Sequence, residues 1–310
     1  MTRSELEEDI SIGDTVKITT KSGEFTGRVE EFGESAIKLT NPQTGKPKRI
    51  AYDFIMEYDT DIAPTADVIS IGVDAESKMV AIPGTKYRMG QTLVTQRLYE
   101  KVMGENPSYC QHSNDDLDDD ERAALPGNTS SNPVENVSWF DAVYFCNKLS
   151  MKEGLTPAYS VDGETDPEYW GYTPHQGESI ESEVECNFDS NGYRLPTNYE
   201  WEEAAYGGES YTYSGSDDLD EVGWYHDNSN NVTHPVAQKM ANGYGLYDMS
   251  GNVWEWVWET YSPNSRYCWG GSYRNLSDEC GVPSPNNLLA NFDTNYQCIN
   301  IGFRLLRPQE

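Results

Sequence analysis

Residues 242–256 read NGYGLYDMSGNVWEW, and the chain continues with Val257 and Trp258. From Trp254 onward, tryptophans occupy alternate positions. This period of two is typical of a strand with one buried face. We therefore expect these tryptophans to belong to a hydrophobic core rather than to a platform for a ligand. The stretch predicts a strand deep inside a domain.

Three short helices are predicted around this strand. Ser138 is followed three residues later by Asp141, and Thr197 by Glu200, which is the spacing of a capping box. The third helix begins after Thr95 and has apolar residues on one face. Long loops separate these helices, which indicates an α+β domain built around irregular structure.

Five stretches together resemble the signatures of the formylglycine-generating-enzyme, or sulfatase-modifying-factor, family. They occur in family order at residues 132–143, 193–205, 242–256, 269–273 and 301–304, and read NPVENVSWFDAV, YRLPTNYEWEEAA, NGYGLYDMSGNVWEW, WGGSY and IGFR. The resemblance covers roughly residues 75–307. It implies a variant of the C-type-lectin fold, α+β with much loop.

The same resemblance implies an enzymatic site that this chain has only in part. In the enzymes, two cysteines five residues apart follow the Gly-Gly-Ser-Tyr motif, bind copper and activate oxygen. Counted from Gly270, the first position is Asn275 and the second is Cys280. A copper(I) centre needs soft thiolate ligands, and one thiolate does not replace two. We therefore expect no copper and no catalysis.

The family resemblance also implies a structural calcium site. Transferred residue by residue, its ligands are the carbonyls of Ser250, Gly251 and Val253 with the side chain of Glu255. Hard oxygen ligands of this kind suit calcium. The alternative is that Glu255 caps neighbouring backbone N–H groups, and the sequence favours neither.

The tail between the last two motifs, residues 272–300, has an unusual composition. It is rich in asparagine and contains no Lys, Met or Trp. It resembles the mutagenised C-terminal segment of variable proteins from diversity-generating retroelements, in which AAY codons become NNY codons. NNY codons encode neither Glu nor Gln, so Glu279 and Gln297 are interpreted as fixed positions.

A tail of this kind predicts a binding face, because loops on a rigid scaffold tolerate substitution. Tyrosine and phenylalanine would anchor a ligand, and asparagine and serine would give adaptable hydrogen bonds. Packing beneath the loop is the alternative role of Leu288 and Leu289. The predicted ligand-binding residues are Tyr273, Arg274, Asn275, Ser277, Asp278, Asn286, Asn287, Leu288, Leu289, Asn291, Phe292, Asp293, Thr294, Asn295, Tyr296 and Asn300.

Composition narrows the choice of partner. The net charge of −30 disfavours nucleic acid and anionic membranes. The expected ligand is an unidentified protein or glycan. No signal peptide and no apolar stretch of membrane-spanning length is visible, so we expect no direct membrane insertion. The protein is expected in the cytoplasm, or on a cell or virion surface through another element.

The chain is predicted to have two domains. Short alternating runs in residues 1–60 indicate a small all-β accessory barrel of SH3-like or Sm-like kind. Residues 61–74 are interpreted as a linker, and residues 75–310 as the C-type-lectin-like domain with a candidate variable region at 272–300. The six cysteines form no CxxC pair and are expected to be reduced.

Three functions remain open on the sequence, and the third and weakest is a non-variable binding domain that merely retains the fold. The first is a non-catalytic protein that displays a diversified C-terminal surface on a lectin-type scaffold. The second is a formylglycine-generating-type oxidase that acts on a cysteine of a protein substrate through an altered cysteine site.

Overall fold

The computed structural model describes residues 78–282 and 290–309 together with five strands between residues 15 and 59. The chain divides into two compact units, residues 1–75 and 76–310. In the described residues, no helix is long and apolar enough to cross a membrane.

The first unit contains one antiparallel sheet with the strand order β4-β3-β2-β1-β5. The strands are β1 Thr15–Thr20, β2 Gly23–Phe32, β3 Ala36–Thr40, β4 Pro47–Ala51 and β5 Ile55–Asp59. The predicted short strands are therefore present in this unit. Closure of the sheet into an SH3-like or Sm-like barrel stays a prediction.

The second unit combines short helices with three small sheets. Its helices are α1 Gln96–Met103, α2 Asp119–Ala124, α3 Trp139–Lys152, α4 Asn198–Tyr206 and α5 Leu219–Val222. Its strands are β6 Met79–Ala81, β7 Tyr87–Gly90, β8 Tyr159–Val161, β9 Val184–Cys186, β10 Trp254–Ser262, β11 Ser265–Trp269, β12 Ala290–Asp293, β13 Ile301–Phe303 and β14 Leu306–Pro308. This is the mixed architecture that the sequence predicts.

The two predicted capping boxes are confirmed, and the third helix also has a side-chain cap. Thr95 accepts a hydrogen bond from the backbone N–H of Leu98 at the start of α1. Ser138 forms a reciprocal capping box with Asp141 at α3, and Thr197 forms one with Glu200 at α4. Each cap satisfies backbone donors that a helix leaves unpaired.

Strand β10 lies at the centre of the main sheet, whose order is β12-β11-β10-β13. It pairs antiparallel with β11 and parallel with β13, with Trp254 opposite Ile301. Trp254 and Trp256 are core residues, as expected, whereas Trp258 is only half-buried. The expectation of one buried face is wrong, since Glu255 and Val257 on the other face are also fully buried.

A second sheet joins the two ends of the unit. Strand β14 pairs antiparallel with β7, which pairs with β6. Trp201 of α4, Met89 of β7 and Leu306 of β14 belong to one hydrophobic cluster. The tail that precedes β13 is therefore attached to a packed scaffold at its C-terminal end.

Candidate functional site

The tail is built into the main sheet. Part of it forms β12, which pairs antiparallel with β11, with Cys268 opposite Ala290 and Ser265 opposite Asp293. The predicted site residues Asn286, Asn287, Leu288 and Leu289 lie outside the described residues. The other predicted residues can be placed.

Hydrogen bonds join the two ends of the tail. The Asn300 side chain donates to Ser272 Oγ at 3.0 Å, and Ser272 Oγ in turn donates to Asn275 Oδ1. Tyr273 Oη donates to the carbonyl of Ile299 at 3.1 Å. Residues 25 or more positions apart in sequence thus meet at one place, immediately after the Gly-Gly-Ser-Tyr motif.

Burial corrects one predicted contact residue, Tyr273, and limits the exposure of another, Thr294. The side chain of Tyr273 is 0% exposed and packs in a cluster with Leu93 and Val253. Thr294 is also buried, and its carbonyl accepts a hydrogen bond from the backbone N–H of Trp139 at 3.1 Å. Tyr273 is not available as a ligand contact, because scaffold encloses its side chain, whereas Thr294 is part of the wall of the cavity described below.

The remaining described tail residues reach the surface to different degrees. Tyr296 is 43% exposed and stacks on Phe292 with ring centroids 5.2 Å apart. Phe292 also packs edge-on against the core residue Trp256. Exposed positions are Arg274, Asp278, Asn291, Asp293 and Tyr296, and half-buried positions are Asn275, Ser277, Phe292, Asn295 and Asn300. Whether they bind a ligand stays a prediction.

Glu121 is a partner of the tail that the sequence did not reveal. It belongs to an acidic run that reads as solvated surface, yet its side chain is buried. It accepts hydrogen bonds from Asn231 at 2.8 Å and from Tyr109 at 2.9 Å, and pairs with Arg274 at 3.3 Å. Its position three residues after Asp118, in a capping box, is the only sequence signal that could have marked it.

The two tail positions interpreted as fixed, Glu279 and Gln297, make contacts within the protein. Gln297 donates to the buried carboxylate of Asp141 at 3.4 Å, and Glu279 accepts from the backbone N–H of Leu276 at 3.2 Å. Both contacts lie within the scaffold or within the tail itself. Their geometry is consistent with the interpretation that these positions do not vary.

The position of the second enzymatic cysteine is closed to solvent. Cys280 is 0% exposed and packs against Leu219 and Val222 of α5. Burial raises the pKa of its thiol to about 12. Asn275, at the first position, is held by Ser272. All six cysteines are free.

Glu255 has partners that conflict with the calcium site transferred from the family. Its carboxylate is 0% exposed and accepts two hydrogen bonds from Arg304, at 2.9 and 3.0 Å, and one from Trp201 at 2.9 Å. Its carboxylate is thus engaged by side-chain donors, and a calcium ion at this position stays a prediction. In the described part of the chain, no cluster of three or more His, Cys, Asp or Glu residues could hold a metal ion.

A cavity of about 800 Å³ adjoins the tail. Its walls come from the start of α3, the segment 179–184, the β10–β11 turn and tail residues 293–295. Trp139 and Arg266 form part of its lining, and the Arg266 guanidinium lies over the Trp139 ring at 4.3 Å from the centroid. A volume of this size accommodates a small ligand or a side chain of a larger one.

Comparisons with known proteins agree with this architecture. The chain belongs to the sulfatase-modifying factor enzyme 1-like family, whose sequence model matches residues 62–309. It is 37% identical over 250 residues to the chaperone protein LppX of Paenibacillus barcinonensis, and the alignment covers 72% of this chain and 80% of the relative. It is 28% identical over 159 residues to an inactive C-alpha-formylglycine-generating enzyme 2 of Mus musculus, covering 42% and 52% of the two chains.

Among solved structures, the chain is similar to Treponema denticola variable protein 1. The two superpose with a TM-score of 0.61 and 29% sequence identity, over 94% of this chain and 98% of the other. The resemblance to the formylglycine-generating-enzyme family, and within it to a variable protein, is thus confirmed. The match extends across both compact units.

Proposed function

We propose that this chain is a non-catalytic binding protein that presents a diversified tail surface on the scaffold of its family. The observation that carries the proposal is the composition and placement of the tail. Tyr296, Asn291 and Asp293 are exposed on a segment whose two ends are hydrogen-bonded to each other and to the core. Exposed side chains on such a framework can change without loss of the fold.

The state of the cysteine site supports the absence of catalysis. Copper would require two accessible thiolates, and the matching positions hold an amide, Asn275, and the buried thiol of Cys280. A thiol with a pKa of about 12 is protonated at neutral pH and is a poor metal ligand. The residues present do not fit a copper centre.

The gene sequence tests diversification directly. Under the proposal, NNY codons occupy the exposed tail positions, and a near-identical template repeat and a reverse-transcriptase gene lie nearby. Independent isolates differ at Asn291, Asp293 and Tyr296 but not at Tyr273, Glu279 or Gln297. A tail encoded without NNY codons and without a template repeat would contradict diversification.

A copper assay tests the absence of catalysis separately. The purified protein is titrated with copper(I) against a chromophoric chelator and then incubated with oxygen and a cysteine-containing peptide. We expect no competition for copper and no aldehyde product. The variant Asn275→Cys, which restores the first cysteine, is the matched comparison. Peptide oxidation by the native chain would establish an oxidase with an altered cysteine site instead.

We further propose that the first unit is an accessory module. Its five antiparallel strands are compatible with a small SH3-like or Sm-like barrel over residues 1–60, joined by residues 61–74 to the lectin-type domain at 75–310. Such modules serve for docking more often than for chemistry. The ligand of the tail is an unidentified protein or glycan.

A further inference from the structure

The cavity beside the tail contains a cation whose hydrogen-bonding capacity is largely unused. Arg266 lies half-buried in β11 with its guanidinium over Trp139. Among the described residues, its one hydrogen-bond acceptor is the carbonyl of its neighbour Ser265 at 3.5 Å, at the limit of such contacts. Its Nε is buried and has no acceptor.

Other arginines near the core of the same unit are paired differently. The guanidiniums of Arg194 and Arg304 each form two-pronged hydrogen bonds with a glutamate. For Arg266, no carboxylate oxygen of the described residues lies within 4.0 Å. A partly desolvated guanidinium without a hydrogen-bonded anion is costly, because its donors lose water without compensation. Burial lowers the pKa of Arg266, and the charge of Glu183 offsets that effect only in part.

From this geometry we infer that the cavity is a carboxylate-binding subsite of the tail surface, with Arg266 as the residue that pairs with the anion. The inference rests on the proposed function, since the cavity contributes a fixed contact beside the variable ones. A planar guanidinium binds a carboxylate through two parallel hydrogen bonds. The Trp139 ring covers one side of the guanidinium, and Asn264 and Asn295 supply polar groups at the wall.

The rim of the cavity restricts the kind of anion that enters. Glu181, Glu183 and Asp293 line it and are exposed. Together with the net charge of −30, they repel a polyanion such as nucleic acid. A ligand with one carboxylate brings only one negative charge to this rim, so its repulsion is smaller. It also gains the contact with Arg266. The subsite therefore fits one carboxylate of a peptide or of an acidic sugar.

The experiment uses the full chain and four small probes in ligand-observed NMR. N-acetylglycine represents a peptide carboxylate and glucuronate a sugar carboxylate, with N-acetylglycinamide and glucose as their neutral counterparts. We expect at least one acid to bind in the millimolar range and its neutral counterpart to bind about tenfold more weakly or not at all. The acid that binds identifies the source of the carboxylate.

Substitutions localise the binding. Arg266→Gln should weaken the acid about tenfold or more, while Arg266→Lys, which keeps the charge without the fork, should weaken it less. Arg122→Gln is the matched control, because Arg122 donates to the carbonyls of His112 and Asn114 outside the cavity. Thermal unfolding of each variant verifies the fold.

Equal binding of acids and neutral counterparts, or binding that Arg266→Gln leaves unchanged, would overturn the subsite. This outcome is independent of whether the tail is diversified, because the probes test the cavity of the chain as it stands. If the gene has no NNY codons, the proposed diversification is wrong. The NMR probes then still decide whether the cavity binds a carboxylate.

Discussion

At the scale of single residues, the charged members of the family motifs are structural in this chain. Arg304 is fully buried and, besides Glu255, donates to the carbonyls of Gly90 at 2.9 Å and Tyr247 at 2.7 Å. One guanidinium thus connects β7, β10 and the loop before β10. The motif arginine maintains the platform on which the tail is displayed.

Glu255→Gln tests this ion pair. The variant leaves Arg304 as an unpaired buried charge, and we expect it to lose about 3 kcal/mol or more of unfolding free energy. Urea unfolding measures the loss, with the exposed Glu185→Gln as control. Millimolar calcium should leave the melting temperature of the native chain unchanged. A calcium-dependent rise that Glu255→Gln abolishes would restore the metal site.

Glu135 links stability to pH. It is fully buried, and burial raises the pKa of its carboxyl from 4.5 to about 8, although the amides of Tyr109 and Cys110 and the charge of Arg274 act in the opposite direction. The folded protein therefore keeps a proton that the unfolded chain releases. The associated stability is complete below about pH 4.5 and is lost as the pH rises towards 8.

Unfolding free energies of the native chain and Glu135→Gln at several pH values measure this contribution. We expect the difference, native minus variant, to fall between pH 5 and 8 by up to about 1.4 kcal/mol per pH unit. Arg274→Asn, a change within the tail, should raise the pKa of Glu135 further. Parallel curves for the native chain and Glu135→Gln would show that Glu135 ionises at its ordinary pKa.

At the scale of elements, the turn after β11 determines where the tail begins. Gly271 has φ +74°, a conformation that residues with a side chain rarely adopt. A Cβ there would lie 2.5 Å from Cys280 Sγ and 2.9 Å from Cys280 Cα. The second glycine of the motif therefore permits segment 277–280 to lie close to the backbone of the turn at Gly271.

Gly271→Ala should cost about 2 kcal/mol or more of unfolding free energy, because backbone strain adds to a steric clash. Gly154→Ala is the matched control, since Gly154 has φ +69° and open space around its Cβ position. It should cost about 1 kcal/mol from strain alone. Denaturant unfolding distinguishes the two, and equal costs would mean that Cys280 moves away easily.

At the scale of the whole molecule, the second unit has its own core and closes on itself through the β7–β14 pairing. We expect a chain of residues 76–310 to unfold cooperatively, with a midpoint within about 4 °C of that of the full chain. Calorimetry measures both. An insoluble or non-cooperative fragment would show that the first unit contributes to the stability of the second.

The sequence by itself determined the helix caps, the core tryptophans, the family and the position of the tail, because these depend on local spacing and ordered motifs. Tertiary structure decided which residues meet. Tyr273 was expected at the surface and is buried, and Glu121, a member of an acidic run, is buried and pairs with Arg274. Glu255 pairs with Arg304, which lies 49 positions further along the chain. Such long-range contacts depend on how loops pack, which residue type and spacing do not encode.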